Sequence, residues 1–162
     1  MFKAGEYVVY KRDVCKIVEI KKNQINNTDY YIMVPINDDS LKINVPIENK
    51  LGNIRPLLNK EQVKLLIHNI PNIKTIDSQN KLIENAYRDL IHDNTHEGLI
   101  KIIKTAYLRN KERLDNKRKI GDKDDCYFKL AETYLYNELA IVLNMSFEQT
   151  KEYIIKEVEK LI

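Results

Sequence analysis

At 162 residues the chain has room for one medium domain or two small ones, each with a modest core. Its 27 basic side chains stand against 24 acidic ones, a net charge of +3 that excludes a nucleic-acid binder recognisable by bulk charge alone. No run approaches the ~20 apolar residues needed to span a bilayer, and two cysteines are too few for a disulfide framework.

In chain order, a glycine turn at Gly5 feeds the β-rich run Tyr7-Val8-Val9-Tyr10, and Val14-Cys15-Lys16-Ile17-Val18-Glu19-Ile20 follows. Residues 29–35 and 41–46 form two further runs. Short β-branched and aromatic runs bounded by Gly, Asn, Asp and Pro predict strands joined by tight connections. Alternation places Val14, Lys16, Val18 and Ile20 on one face of the second strand, and Cys15, Ile17, Glu19 and Lys21 on the other. In the last run Leu41, Ile43 and Val45 oppose Lys42 and Asn44. Tyr30 and Tyr31 are adjacent, so at most one of them faces a core. A sheet this small leaves an edge that can accept a partner strand.

After Pro56 the period changes from two to 3.6. Asn59 with Gln62 predicts a capping box opening a helix through Val63, Leu66 and Ile67, stopped by Pro71. Asp77 or Ser78 is placed to cap a second helix carrying Leu82, Ile83, Ala86, Leu90 and Ile91. Thr95 opens a third, with Leu99, Ile102, Ile103, Ala106, Tyr107 and Leu114 on its apolar face. Gly121-Asp122 introduces a fourth through Phe128, Leu130, Ala131, Leu135, Leu139 and Val142. Ser146 with Gln149 caps a fifth through Tyr153, Ile154, Val158 and Leu161. The expected fold class is therefore α+β, a small N-terminal β-barrel over residues 1–57 and an all-α bundle over 60–162.

Catalytic chemistry finds little support. The four glycines, Gly5, Gly52, Gly98 and Gly121, form no phosphate loop. His92 and His96 have zinc-ligand spacing, but Asp93-Asn94-Thr95 between them predicts a helix stop and restart, and no third ligand is spaced to join them. Asp122, Asp124 and Asp125 lack the alternation and inner glycine of a calcium loop and read as first-turn acids favoured by the helix dipole. Cys15 and Cys126 both read as small buried hydrophobes. No cofactor or metal is expected, and no enzyme activity. The opening also lacks the basic-then-apolar layout of a secretory leader, and two cysteines fit a reducing cytoplasm; a cytoplasmic location, no membrane attachment and a monomer are expected.

The order Gly5, Val8-Val9-Tyr10, Lys16-Ile17-Val18-Glu19-Ile20, Tyr30-Tyr31, Val45-Pro46 and Gly52-Asn53-Ile54-Arg55-Pro56 resembles the CarD family of bacterial transcription regulators. The same Tudor-like module occurs in the transcription-repair coupling factor. The likeness continues through residues 102–113 and through Leu130-Ala131-Glu132 and Glu138-Leu139-Ala140. It implies a Tudor-like barrel that adds its edge strand to the RNA polymerase β subunit, here through Leu41, Lys42, Ile43, Asn44 and Val45, with Lys21 and Lys22 beside it. It implies also a helical domain that meets promoter DNA, through the minor groove and the phosphates, at the edge of the transcription bubble and so modulates open-complex stability.

Three departures from the family pattern stand out. Lys11-Arg12-Asp13 replaces a glycine-containing turn, and Asn44 stands where the family often has arginine. The chain has no tryptophan, whereas the family inserts one as a minor-groove wedge, and the aligned position is Gln79. Lys74, Lys81 and Arg88 surround that position and are suited to phosphates. Ile76 is the nearest apolar side chain, and its plainer reading is a core residue. Lys117, Arg118 and Lys119 end the densest basic run, suited either to phosphates or to a solvated helix end. The competing class is a polymerase- or protein-binding module without significant DNA binding. An RNA-binding barrel is disfavoured by the lack of an exposed aromatic platform.

Overall fold

The computed structural model describes residues 1–22, 26–48, 51–77 and 81–160. The chain divides into two compact units, residues 1–57 and 58–162, close to the boundary expected at Pro56.

The first unit is an antiparallel sheet of β1 (Tyr7–Tyr10), β2 (Asp13–Lys21), β3 (Tyr30–Pro35), β4 (Ile43–Pro46) and β5 (Ile54–Pro56), in the order β4-β3-β2-β1-β5. The sheet is open rather than a closed barrel, because no ladder joins β4 to β5 among the described residues. These two edge strands are short, with four and three residues, and offer little backbone with which to close. Val8, Cys15, Ile17, Tyr31, Met33, Val45 and Ile54 form one core, with a contribution from every strand. Of the two adjacent tyrosines, Tyr31 is buried, and its hydroxyl accepts from the Phe2 N–H at 3.0 Å. Burial pushes the Cys15 thiol up to about 11.

Strict alternation fails in β2. Its register against β3 shifts between Ile17 and Glu19, leaving Val18 as the extra residue of a bulge. Ile20 thereby joins Cys15 and Ile17 on the core side, while Val18 is exposed. Lys11 takes the place of a turn glycine at φ 56, in the left-handed region that side chains rarely adopt. Its N–H donates to the Asn53 carbonyl at 2.8 Å.

The second unit contains α1 (Lys60–His68), a 3-10 turn (Ile70–Asn72), α2 (Ile83–Asp93), α3 (His96–Asp115), α4 (Asp122–Leu143) and α5 (Phe147–Glu159). Asn59 with Gln62 and Ser146 with Gln149 form the two expected capping boxes, and Thr95 caps α3 through the Gly98 N–H. The helix break between His92 and His96 is present, with Asn94 in the left-handed region. Three expectations are corrected. Helix α2 starts at Ile83 with Leu82 at the cap and no capping side chain, later than Asp77 or Ser78 would allow. Leu114 is exposed in the last turn of α3, and Cys126 lies on the solvent side of α4. Ser78 and Leu161 fall outside the described residues.

The core of this unit joins all five helices and the 3-10 turn through residues such as Val63, Ile70, Tyr87, Ile103, Leu135 and Ile154. Lys104, Asp124, Glu132 and Glu138 are buried in this unit, and Asp124 is the centre of an ionic cluster. The Asp124 carboxylate accepts from the Tyr87 hydroxyl (2.6 Å), from Arg109 Nε at both oxygens (3.1 Å each) and from Arg113 Nη1 (2.5 Å). Helices α2, α3 and α4 thus meet on one side chain. Burial alone would raise this carboxyl, but bonds from Tyr87, Arg113 and Arg109 outweigh it and hold the pKa below the usual value. Asp124 is therefore a structural hub, beyond its expected place as a first-turn acid.

Replacing Asp124 with alanine leaves two guanidinium groups without their carboxylate, a loss expected to cost about 3–5 kcal/mol in denaturant unfolding. Tyr87→Phe removes one donor and is expected to cost about 1–3 kcal/mol. A carboxyl whose folded pKa lies below its unfolded value contributes stability above the unfolded value and loses it as pH falls through the folded one. Wild type should accordingly lose stability on acidification below the ordinary carboxylate range. Asp124→Ala should show a shallower acid limb in the same titration.

Candidate functional site

In the first unit β4 and β5 are the two edges of the sheet, and the strand expected to dock is β4. Its register pairs Met33 with Ile43, Ile32 with Asn44, Tyr31 with Val45 and Tyr30 with Pro46. The next pair outward is bonded, since the Ile47 N–H donates to the Asp29 carbonyl at 3.0 Å. Antiparallel pairs alternate between bonded and non-bonded, so Val45 and Ile43 turn their backbone groups toward β3. Asn44 and Pro46 turn theirs away from it. Proline has no N–H, so the outward donor of β4 is the Asn44 amide, flanked by outward carbonyls of Asn44 and Pro46. The Asn44 side chain is exposed, Val45 is in the core and Ile43 is half-buried.

The other residues expected at this edge divide between its two ends. Leu41 and Lys42 precede β4 and are exposed, and the Leu41 N–H closes a turn on the Asp38 carbonyl at 3.2 Å. Lys21 lies in the row Lys21–Tyr30–Pro46, level with the far end of β4 and two strands in from the edge. Lys22 follows it, exposed. The backbone edge is thus flanked by cations and not lined by them.

A groove of about 540 Å³ opens where the sheet fails to close. Val45 and Pro46 of β4 form one wall, Tyr10 of β1 and Asn53 before β5 the other, with Tyr30, Thr28, Glu48 and Leu51 between. Leu51 is 85% exposed, and the Lys11 ammonium lies 5.4 Å from the Tyr10 ring centroid. No periodicity in the sequence signals this groove, because its residues come from separate segments of the chain.

In the second unit, Lys74 sits in the segment after the 3-10 turn and Lys81 just before α2, both exposed. Gln79, the wedge position, lies outside the described residues. The approach to it is held from beneath by α3. Lys104, 2% exposed, donates from Nζ to the Ile70 carbonyl (2.8 Å) and to the Ile73 carbonyl. The Thr105 hydroxyl donates to the Lys101 carbonyl (2.7 Å) and accepts from the Ile76 N–H (2.9 Å). Ile76 itself packs against the core, in keeping with its plainer reading.

Arg88 is already engaged. Its guanidinium bonds Glu84 at 3.1 Å, and Glu84 also meets Lys123 of α4 at 3.0 Å. The Lys123 bond is the main reason the Glu84 carboxyl is lowered. Two cations around one carboxylate leave a single net positive charge, and Lys123 joins a face that sequence spacing gives to Arg88 alone. Lys117, Arg118 and Lys119 are all exposed in the loop between α3 and α4. Among the described residues no three His, Cys, Asp or Glu side chains gather as metal ligands, and no helix is long and apolar enough to cross a membrane.

Residues 2–58 match the CarD-like/TRCF RID domain. A search of curated proteins found no match to the chain.

Thr105→Val is nearly isosteric but cannot accept the Ile76 N–H. The unsatisfied amide is expected to cost about 1–3 kcal/mol. Hydrogen exchange at Ile76 should accelerate more than exchange in α4 if the hydroxyl holds the segment locally. Equal acceleration throughout the unit would instead show a global effect.

Proposed function

We propose that this chain, whose residues 2–58 form a CarD-like/TRCF RID domain, is a transcription regulator that docks on the RNA polymerase β subunit through the free edge of β4. The RID domain is a polymerase β-interacting module, and the open edge supplies what such docking requires. Strand addition draws its affinity from backbone bonds and its specificity from alternate side chains. At β4 the outward N–H and carbonyl of Asn44 supply the bonds, while Lys42 and Asn44 supply exposed side chains. Leu41, Ile43 and Val45 set the strand's position, and Lys21 and Lys22 add positive charge at its far end. The single observation that carries this reading is that β4, inside the matched domain, has a strand ladder on one side alone among the described residues.

The helical unit is proposed to meet promoter DNA at the bubble edge and so to alter open-complex stability. Lys74, Lys81 and the residues 117–119 offer exposed cations for phosphates. Gln79, in place of an aromatic wedge, offers hydrogen bonding with little stacking area, so phosphate contacts must contribute more of the affinity. The chain is proposed to act by binding alone, without catalysis of its own. One observation favours the second reading, a polymerase-binding module with little DNA affinity: Arg88 is engaged by Glu84.

Two measurements separate these readings. Asn44→Pro removes the outward donor but spares the bonds to β3, so polymerase capture should fall at least about tenfold, an effect of about 1.4 kcal/mol, with the sheet still folded. Ile43→Pro breaks the inward ladder and serves as the unfolding control. Unchanged capture by a folded Asn44→Pro protein would place the polymerase contact elsewhere.

Lys74→Glu with Lys81→Glu should flatten the salt dependence of DNA binding by about two units of log–log slope, one for each phosphate no longer neutralised. A wild type with no measurable salt-dependent affinity for promoter DNA would favour the module without DNA binding.

A further inference from the structure

The end of α3 and the loop to α4 enclose a basic cleft of about 150 Å³, lined by Arg109, Glu112, Arg113, Asn116 and Arg118. Arg109 and Arg113 are four residues apart on α3 and so share one face of it. Both are fixed by Asp124 behind them, whose side chain is 3% exposed. Asn110 completes the mount. Its Oδ1 accepts from Arg113 Nη1 at 2.6 Å and from the Gly121 N–H at 2.8 Å. A Cβ at Gly121 would stand 2.5 Å from Arg113 Nη1, so glycine there lets the guanidinium pass beside the backbone.

Arg118 is positioned from the other side. The Lys117 N–H donates to the Leu114 carbonyl (3.0 Å) and the Arg118 N–H to the Arg113 carbonyl (2.7 Å), with Lys117 at φ 58. This paired-bond helix ending usually takes glycine or asparagine at the left-handed residue. Asparagine stands at φ 52 and φ 54 where α2 and α4 end, at Asn94 and Asn144. At the end of α3 a lysine occupies that conformation instead, next to Arg118 and Lys119. The two bonds also cover carbonyls that would otherwise repel an anion at a helix C-terminus.

Three guanidinium groups therefore face one cleft against Glu112 within it and Asp124 behind it, with Lys117 and Lys119 exposed alongside. A guanidinium carries five N–H donors in a planar fork. The bonds from Arg113 to Asp124 and Asn110 use one nitrogen of that fork, which orients it without exhausting it. Pre-oriented forks of this kind match the oxygens of a phosphate better than a flexible ammonium does. We propose that the cleft binds one phosphate group, from a nucleic-acid backbone or from a free phosphoester. Its chemistry stands on the arginine geometry, and only the nucleic-acid source rests on the proposed promoter contact.

The test uses the full chain and inorganic phosphate, titrated against chloride at constant ionic strength and read by NMR of the arginine Nε–H groups. Wild type should give saturable shifts at Arg109 and Arg113. Arg118→Gln, at an exposed loop residue, should weaken binding at least about tenfold, and Arg118→Lys should restore part of it, because lysine keeps the charge without the fork. Linear shifts, shifts matched by chloride, or an unchanged affinity in Arg118→Gln would overturn the proposal. Given saturable phosphate binding, duplex DNA anisotropy identifies the source. Weaker binding with a salt slope lower by about one in Arg118→Gln assigns the cleft to a backbone phosphate, and unchanged DNA binding assigns it to a free phosphoester. Polymerase capture through Asn44 and the slope change at Lys74 and Lys81 are read on other residues, so failure here leaves both results standing.

Discussion

A carboxylate buried in a helical bundle is a liability unless every lone pair is answered, and Asp124 is the position at which this bundle accepts that constraint. Its partners arrive from α2 and α3, and it is itself in the first turn of α4. Since neither arginine can deprotonate at ordinary pH, both need the carboxylate in place. Apolar contacts between the same helices would tolerate small slides. A bifurcated bond from Arg109 Nε to both carboxylate oxygens and a bond from a single nitrogen of Arg113 do not, so the group fixes register as well as proximity. The loop between α3 and α4 inherits this order through Asn110 and Gly121.

Other buried polar groups follow the same logic to different degrees. Glu138, 1% exposed, answers the Leu58 N–H with one oxygen (2.8 Å) and His96 Nε2 with the other (2.9 Å), which ties the first residue of the helical unit to α4. Lys104 answers two carbonyls of the segment before α2. Glu132 is the contrast. Its nearest cation among the described residues is Lys151 at 3.7 Å, its Oε2 and the neighbouring Tyr136 hydroxyl have no hydrogen-bond partner among them, and burial raises its carboxyl. A raised carboxyl opposes folding at neutral pH, so the α4–α5 side carries a cost that the α2–α3–α4 side does not.

What is legible in the sequence follows from the range of each interaction. Capping boxes at Asn59 and Ser146 and the break at Asn94-Thr95 rest on contacts within four residues, and all three are present. The domain boundary near Pro56 is readable because the period changes there. The bulge at Val18 is not, since a single extra residue leaves the composition of β2 unchanged while flipping its face. Asp124 looks like any acid at a helix start because Tyr87, Arg109 and Arg113 lie 37, 15 and 11 residues away. The groove beside β4 is hidden for the same reason.

At β4 the shortness of the edge means that the proposed docking would need more than backbone. Four residues, one of them proline, expose one donor to a partner, and an isolated hydrogen bond contributes only about 0.5–1.5 kcal/mol net. Such an edge is too poor to recruit strands indiscriminately, which protects it from the edge-to-edge pairing that longer strands invite. Affinity for a chosen partner must then come from groups at its borders. On one side lie exposed Leu41 and Lys42, and on the other the aromatic groove with Tyr10, Tyr30 and Leu51. An open sheet supplies both at once, because the gap that leaves β4 unpaired is also the groove beside it.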